Sequence, residues 1–112
     1  DGNRDGFIGT WSDGTMTVYS DASGGHFIKF HSGSIEVNNH FKPSANNTYD
    51  LGSSGSRWRN VYTNDLHLSN EGSSNDVDGT WGDWTIQEGE SDLFLKNNRS
   101  GKKYKFNLTE VS

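Results

Sequence analysis

The chain contains no cysteine and one proline, Pro43. No disulfide or thiolate metal site can form, and the redox compartment stays undetermined. No apolar run approaches the roughly 20 residues that a membrane-spanning helix needs. The one basic cluster, Arg99 to Lys105, is interrupted by Gly101 and Tyr104, and the net charge is −5. These absences argue against a disulfide-stabilised domain, a helical membrane protein and a nucleic-acid-binding protein.

Hydrophobic residues are also scarce, at 29% of 112 residues. Aromatic residues nevertheless make up 12%, and the apolar residues fall in short alternating runs instead of being scattered. Such a chain is patterned for order but holds too little apolar surface for a core of its own. We therefore expect an obligate homo-oligomer in which neighbouring copies complete the interior.

Alternation of apolar and polar residues predicts β-strands, and no window shows the 3.6-residue period of a helix. The predicted strands cover residues 15–20, 26–31, 34–41, 66–68, 80–87, 92–97 and 103–111. Residues 1–14 are expected to be turn-rich, and a short turn near 56–62 is the best helix candidate. The spacing of about ten residues per strand in the first half is typical of a β-meander.

One stretch, residues 49–68, combines a Gly/Ser turn with an anchor of aromatic and aliphatic residues; it reads YDLGSSGSRWRNVYTNDLHL. This stretch resembles a segment of bacteriophage tail-fibre proteins, especially those of cyanophages. Residues 79–106, from GTWGDWTIQEGE to GKKYKF, are similar to the C-terminal end of the same fibres. The resemblance covers roughly residues 41–112. It implies a structural virion protein on the outside of the particle, assembled as a homotrimer.

Pattern and resemblance together predict an all-β fold with short strands and long Gly/Ser/Asn turns, assembled as an intertwined homotrimeric fibre. We divide it into an N-terminal β-meander segment, residues 1–48, and a C-terminal tip-like domain, residues 49–112. The side chains expected to form the core between copies are Trp58, Val61, Tyr62, Leu66, Leu68, Trp81, Phe106 and Leu108.

The four tryptophans, Trp11, Trp58, Trp81 and Trp84, allow two interpretations. Exposed tryptophan stacks on sugar rings, but each large aromatic also buries roughly 150–250 Å² in a core. Packing is favoured for Trp58 and Trp81. Trp84 is balanced between the two roles and is the candidate ligand-binding residue.

Metal sites find little support in the sequence. Residues 1–8 match the opening of an EF-hand calcium loop, but the twelfth position is Ser12 where the loop needs a bidentate glutamate. A plain Asp/Asn/Gly turn is the preferred interpretation. The four histidines, which are His26, His31, His40 and His67, form no His-x-His pair, so we expect no metal and no cofactor.

Catalysis needs a nucleophile beside a base, or two carboxylates across a cleft. No serine lies in a G-x-S-x-G context, and the carboxylates fall on short strands or turns, where solvated acids are normal. The chain is therefore not expected to be an enzyme.

The function predicted is that of a structural virion protein, the distal segment of a phage tail fibre that attaches to a host-surface glycan or protein. Receptor specificity would lie in the loops at 21–25, 71–79 and 97–101. One alternative is the subunit of a self-assembling extracellular filament. A further alternative is a carbohydrate-binding module or glycan-degrading enzyme.

Overall fold

The structure, a computed structural model, describes residues 6–10, 16–20 and 26–112. Within these ranges it contains eight β-strands and no helix. The prediction of a β-rich chain is confirmed. The short helical turn predicted near 56–62 is wrong, because those residues contain one isolated bridge residue, Ser56, and one bend, at Arg59, and no helical turn.

The chain divides into two compact units, Asp1–Ser53 and Ser54–Ser112. Each unit contains one four-stranded antiparallel sheet in which every strand pairs with its neighbour in sequence. The first sheet consists of β1 (Gly6–Thr10), β2 (Met16–Ser20), β3 (His26–Phe30) and β4 (Ile35–Val37). The second consists of β5 (Leu66–Ser69), β6 (Asp83–Glu88), β7 (Leu93–Asn97) and β8 (Lys103–Lys105).

Strand β1 corrects the expectation that residues 1–14 are turn-rich. It pairs with β2 over five residues, from Gly6 opposite Ser20 to Thr10 opposite Met16. Gly6 and Gly9 have no side chain, so they hide the alternation that would reveal a strand in the sequence.

The first sheet places Val18, Ile28 and Val37 opposite one another on adjacent strands. Val18 and Ile28 are each 39% exposed, so this apolar row is uncovered in a single copy. Strand β4 is shorter than the predicted 34–41 because the Asn38 side chain ends the ladder. Its Oδ1 accepts a hydrogen bond from the Phe27 N–H at 2.8 Å.

The second sheet has two chemically different faces, because residues opposite one another point to the same side. The apolar face carries Leu66, Leu68, Trp84, Ile86, Leu93, Leu95 and Tyr104, together with Glu88 and Asn97. The polar face carries His67, Ser69, Asp83, Thr85, Gln87, Phe94, Lys96, Lys103 and Lys105.

Two strands of this sheet are shorter than predicted. Strand β6 begins at Asp83 rather than at residue 80, because the Gly82 N–H donates to the Asn70 side chain at 2.8 Å. Strand β8 ends at Lys105 rather than at residue 111. One further ladder bond remains, from the Phe106 N–H to the Leu93 carbonyl at 2.9 Å, and the chain beyond it is exposed.

Along the sequence, between β4 and β5, lies a stretch that we call the open segment, residues 41–62. It falls wholly within the described range 26–112 and contains no strand, only isolated bridge residues at Ser53 and Ser56. Its large apolar side chains are exposed; they are Phe41, Tyr49, Leu51, Trp58, Val61 and Tyr62. The open segment therefore presents to solvent the residue types that usually fill a core.

Among the side chains whose burial the structure describes, which are those of Val18 and residues 26–112, no hydrophobic one is buried. The one buried residue there is Thr85, at 2% exposure. The second sheet thus has no packed apolar interior within a single copy. In the described ranges, no helix is long and apolar enough to cross a bilayer.

Candidate functional site

The second unit contains an open groove of ≈ 990 Å³. It is bounded by strand β5, by the connection 70–82 and by the hairpin loop between β7 and β8. The side chains that give it its character are Asn75, Asp78, Trp81, Trp84, Asn97 and Arg99. Aromatic rings beside amide and charged groups are the usual components of a binding groove, so the bonding of each group decides what the groove can do.

Thr85 lies beside this groove and links its neighbouring strand and loop through hydrogen bonds. Its Oγ1 lies 3.0 Å from His67 Nδ1 on the adjacent strand and accepts a hydrogen bond of 2.9 Å from Asn98 Nδ2. The same Asn98 amide group donates to Asp83 Oδ1 at 3.0 Å, and the Asn98 N–H donates to the Asp83 carbonyl at 2.8 Å. These bonds tie the start of the β7–β8 loop to strand β6.

A hydroxyl beside an imidazole is also the pairing of a nucleophile with its base. Here the hydroxyl belongs to Thr85, which is 2% exposed and already accepts the Asn98 bond. A substrate cannot reach it. The His67–Thr85 pair therefore serves the structure of the sheet.

Arg99 and Trp81 form the wall on the loop side. The guanidinium carbon of Arg99 lies 3.6 Å from the Trp81 ring centroid, and Arg99 Nη1 donates to the Trp81 carbonyl at 2.9 Å. The Asn97 side chain shapes the loop, because its Oδ1 accepts the N–H groups of Arg99 at 3.0 Å and Ser100 at 3.2 Å. Gly101 follows with φ of 76° and closes the loop by donating to the Asn97 carbonyl. One face of the Trp81 ring is thus covered by the guanidinium.

The connection 70–82 is held by Asn75 and Asp78. Asn75 Oδ1 accepts the N–H groups of Val77 and Asp78, and its Nδ2 donates to Asp78 Oδ1 at 2.9 Å. Asp78 Oδ1 also accepts from the Thr80 hydroxyl at 2.7 Å and from its N–H at 3.1 Å. The Thr80 hydroxyl and then the Asn75 amide hold the pKa of the Asp78 carboxyl below its usual value. The polar groups of this loop are thus bonded to one another.

Trp84, the sequence-predicted ligand residue, packs against its own sheet. A Cβ atom at Gly82 would lie 2.8 Å from Trp84 Nε1, so the indole lies directly on the Gly82 backbone. The Tyr104 ring lies 5.9 Å away between centroids, at 41°. Trp84 is half-buried in these contacts. Its ligand role stays a prediction, and its geometry is that of a packed residue with one edge on the groove.

The eight residues predicted to form a core between copies are not brought together within one copy as a closed cluster. Six are exposed, namely Trp58, Val61, Tyr62, Leu66, Leu68 and Leu108. Trp81 and Phe106 are half-buried. Their role between copies stays a prediction, and exposure is what that role requires.

The sequence interpretation named the loops 71–79 and 97–101 as candidate specificity loops but did not single out the side chains that shape the groove, which are Arg99, Asn98, Asn75 and Asp78. The run Asn75 to Thr80 did carry a signal, since Asn and Asp side chains commonly bond their own backbone two residues on. The Arg99–Trp81 contact carried none, because it joins residues from different elements.

Two other histidines, His26 and His31, form local contacts. His31 Nε2 lies 3.1 Å from Glu36 Oε1, and His26 Nδ1 contacts the Asn39 amide. Within the described ranges, no three His, Asp or Glu residues are close enough together to hold a metal ion. The calcium-loop interpretation of residues 1–12 depends on positions 1–5 and 11–12, which lie outside the described residues. Trp11 and the loop at 21–25 also lie outside them.

The geometry defines an all-β chain of two antiparallel meanders, with a groove whose polar groups are largely bonded to each other. Comparisons of the chain with protein-family models, curated protein sequences and solved structures found no match.

Proposed function

We propose that the chain is a structural fibre segment that assembles as a homotrimer and forms the distal part of a phage tail fibre, where it contacts the host surface. One observation carries the assembly: among Val18 and residues 26–112, no hydrophobic side chain is buried in a single copy. The resemblance of residues 49–68 and 79–106 to tail-fibre sequences supports the assignment to a phage.

The exposed side chains are large enough to drive association. Trp58 is 65% exposed and Tyr62 is 92% exposed, and Leu66 and Leu68 are each nearly half exposed. Burying a large apolar side chain stabilises a protein by about 1.5–3 kcal/mol. Several such side chains from each copy would offset the entropy lost on association.

The open segment favours a side-by-side arrangement of copies. Residues 41–62 run without a strand of their own, so their backbone gains from lying against other chains. Three copies arranged around an axis would bury their apolar side chains toward one another. They would also cover the sheet edges that a single meander leaves open.

Native mass in solution tests this proposal directly. Light scattering on the purified chain should give about three times the 12.4 kDa of one copy. Negative-stain images of the same sample should show discrete short rods. A folded monomer of 12.4 kDa would overturn the shared-core proposal. Open fibres of indefinite length would instead indicate a filament subunit, whose contacts do not close.

A further inference from the structure

The polar face of the second sheet gathers three lysines. Lys96 on β7 lies directly opposite Lys103 on β8, and Lys105 follows two residues later on the same face. Opposite residues are roughly 5 Å apart and i, i+2 residues roughly 7 Å apart along a strand. Like charges placed directly opposite each other destabilise a sheet. The arrangement therefore lowers the stability of the sheet unless an anion lies against the lysines.

Protection of a sheet edge explains only part of this arrangement. Lysines on an exposed edge strand commonly prevent unwanted pairing, and β8 is an edge strand. Lys96, however, lies on β7, between β6 and β8. The first sheet offers a direct contrast, since its interior lysine, Lys29, lies opposite Glu36. The second sheet places a lysine where the first places an acid.

Within residues 6–10, 16–20 and 26–112, no carboxylate forms an ion pair with the three lysines; Asp83, on the same face, accepts a hydrogen bond from Asn98 Nδ2 at 3.0 Å. In the part of the chain that the structure describes, the recorded ion pair joins His31 to Glu36, and none involves Lys96, Lys103 or Lys105. The chain as a whole carries a net charge of −5, so three unneutralised cations on one face are not a consequence of a basic composition.

An aromatic ring lies beside the cations. Phe94 is opposite Lys105 on the polar face and is 37% exposed. Gly89 fixes the position of this ring, because a Cβ atom there would lie 2.6 Å from Phe94 Cε2. Gln87, opposite Phe94, donates from Nε2 to Asp65 Oδ2 at 3.0 Å, which orients its amide. These side chains and the lysines line a depression of ≈ 440 Å³.

We propose that this cationic–aromatic face, comprising Gln87, Phe94, Lys96, Lys103 and Lys105, binds an anionic polysaccharide. The lysines pair with carboxylate, sulfate or phosphate groups on successive sugars, and the Phe94 ring packs against the apolar side of one sugar ring. Gln87 Oε1 accepts a hydrogen bond from a sugar hydroxyl. A small single anion would engage only part of this surface, because the cations span more than one anionic group.

An anionic polysaccharide specifies the ligand class of the proposed attachment role, and this proposal rests on that role for its biological setting. The two can fail separately, since native mass reports assembly and binding reports this face. A trimer that binds no anionic polysaccharide would overturn the present proposal alone. A monomer that binds one would overturn only the fibre assembly.

The test measures binding of the full chain to immobilised heparin (sulfated), polygalacturonate (carboxylated) and dextran (neutral). We expect both anionic polymers to bind and dextran not to bind. Affinity should fall steeply between about 50 and about 300 mM NaCl, because binding to a polyanion releases counterions. Binding that ignores salt, or equal binding to dextran, would overturn the proposal.

A triple variant, Lys96→Gln/Lys103→Gln/Lys105→Gln, locates the site. We expect its Kd for the anionic polymers to rise about tenfold or more, because it removes every cation of the face. The matched control Lys42→Gln/Arg57→Gln/Arg59→Gln has the same net charge and should bind as the wild type does. An equal loss in both triples would contradict a defined face. Circular dichroism and native mass confirm that each variant folds.

Phe94→Leu separates a sugar ligand from a polyanion of any kind. We expect this variant to bind the polysaccharides several-fold less tightly and inorganic polyphosphate unchanged, because polyphosphate has no ring to pack on the aromatic group. Equal effects on both probes, or a preference of the wild type for single-stranded DNA over the polysaccharides, would overturn the assignment to sugar.

Discussion

The second sheet and the open segment use their large side chains in opposite ways. In the sheet, Trp84 is half-buried against Gly82 and Tyr104, and polar partners surround Thr85. In the open segment, Tyr62 is 92% exposed and belongs to no strand. One region finds its contacts within a single copy, and the other presents side chains that a single copy leaves uncovered.

The difference indicates that the second sheet contributes stability, whereas the open segment presents the side chains proposed to drive assembly. The sheet and its loops are held mainly by hydrogen bonds, many of them from Asn, Asp and Thr side chains. Hydrogen bonds are directional and local, so they define shape without needing a large core. The apolar side chains are thereby available for contact with other copies.

The largest expected effect comes from removing the exposed aromatics of the open segment. In Tyr49→Ser/Trp58→Ser/Tyr62→Ser we expect the trimer to dissociate, because each aromatic contributes about 1.5–3 kcal/mol when buried between copies. Light scattering reports the native mass. The control Val77→Ser/Val111→Ser changes two side chains that are as exposed as Tyr62 and more exposed than Tyr49 and Trp58 but lie outside the open segment, and it should remain trimeric. A trimeric triple variant would show that the open segment is not the contact surface.

A smaller effect is expected within the sheet. Thr85→Val keeps the shape of the side chain but removes Oγ1, which leaves His67 Nδ1 without its partner and Asn98 with one bond fewer. We expect a loss of about 2 kcal/mol in the free energy of unfolding. Urea unfolding followed by tryptophan fluorescence measures it. Thr63→Val, at an exposed site with a local bond, should cost much less, and similar costs would remove the special role of Thr85.

Arg99→Lys should have a weaker effect again. Lysine keeps the charge but loses the flat guanidinium that lies 3.6 Å from the Trp81 ring centroid. We expect a loss of about 0.5–1 kcal/mol in the same unfolding measurement. Arg57→Lys, outside the groove, serves as the control and should leave stability unchanged. Equal values for the two variants would mean that the Trp81 contact contributes nothing.

The smallest effect concerns pH and the connection 70–82. The pKa of Asp78 is lowered in the folded chain from its usual 3.8, chiefly by the Thr80 hydroxyl. Because the folded pKa is the lower one, this contribution to stability is fully present above 3.8 and is lost as pH falls through the folded value. The protection factor of the Thr80 amide, which is its exchange rate relative to the intrinsic rate at the same pH, should therefore fall only in strong acid. Asp78→Asn should remove that dependence, and a fall in protection near neutral pH would contradict the assignment.

Much of the strand content could be predicted because alternation is a local signal. Leu93 and Leu95 lie two residues apart, and both belong to the apolar face as period two requires. Strand β1 could not be found in this way, since Gly6 and Gly9 contribute no side chain to the pattern. The end of β4 depended on the Asn38 side chain, whose bond to Phe27 is visible only in three dimensions.

The candidate sites were less predictable, because they depend on which strands pair and in what register. Lys103 and Lys105 stand together in the sequence, but Lys96 joins them only because β7 pairs with β8. Arg99 meets Trp81 for a similar reason, through the loop that follows β7. Composition did indicate a scarcity of apolar residues, and that scarcity reappears among Val18 and residues 26–112 as the absence of a buried hydrophobic side chain.

The order of the strands has a consequence for how the chain matures. Each of the eight strands described pairs with the one before or after it, so contact order is low, although the connection 70–82 is longer than the hairpin loops. A nascent chain could thus complete one meander before the next has left the ribosome. Subunits would then meet as preformed sheets, and the slow, concentration-dependent step would be their docking rather than the formation of strands.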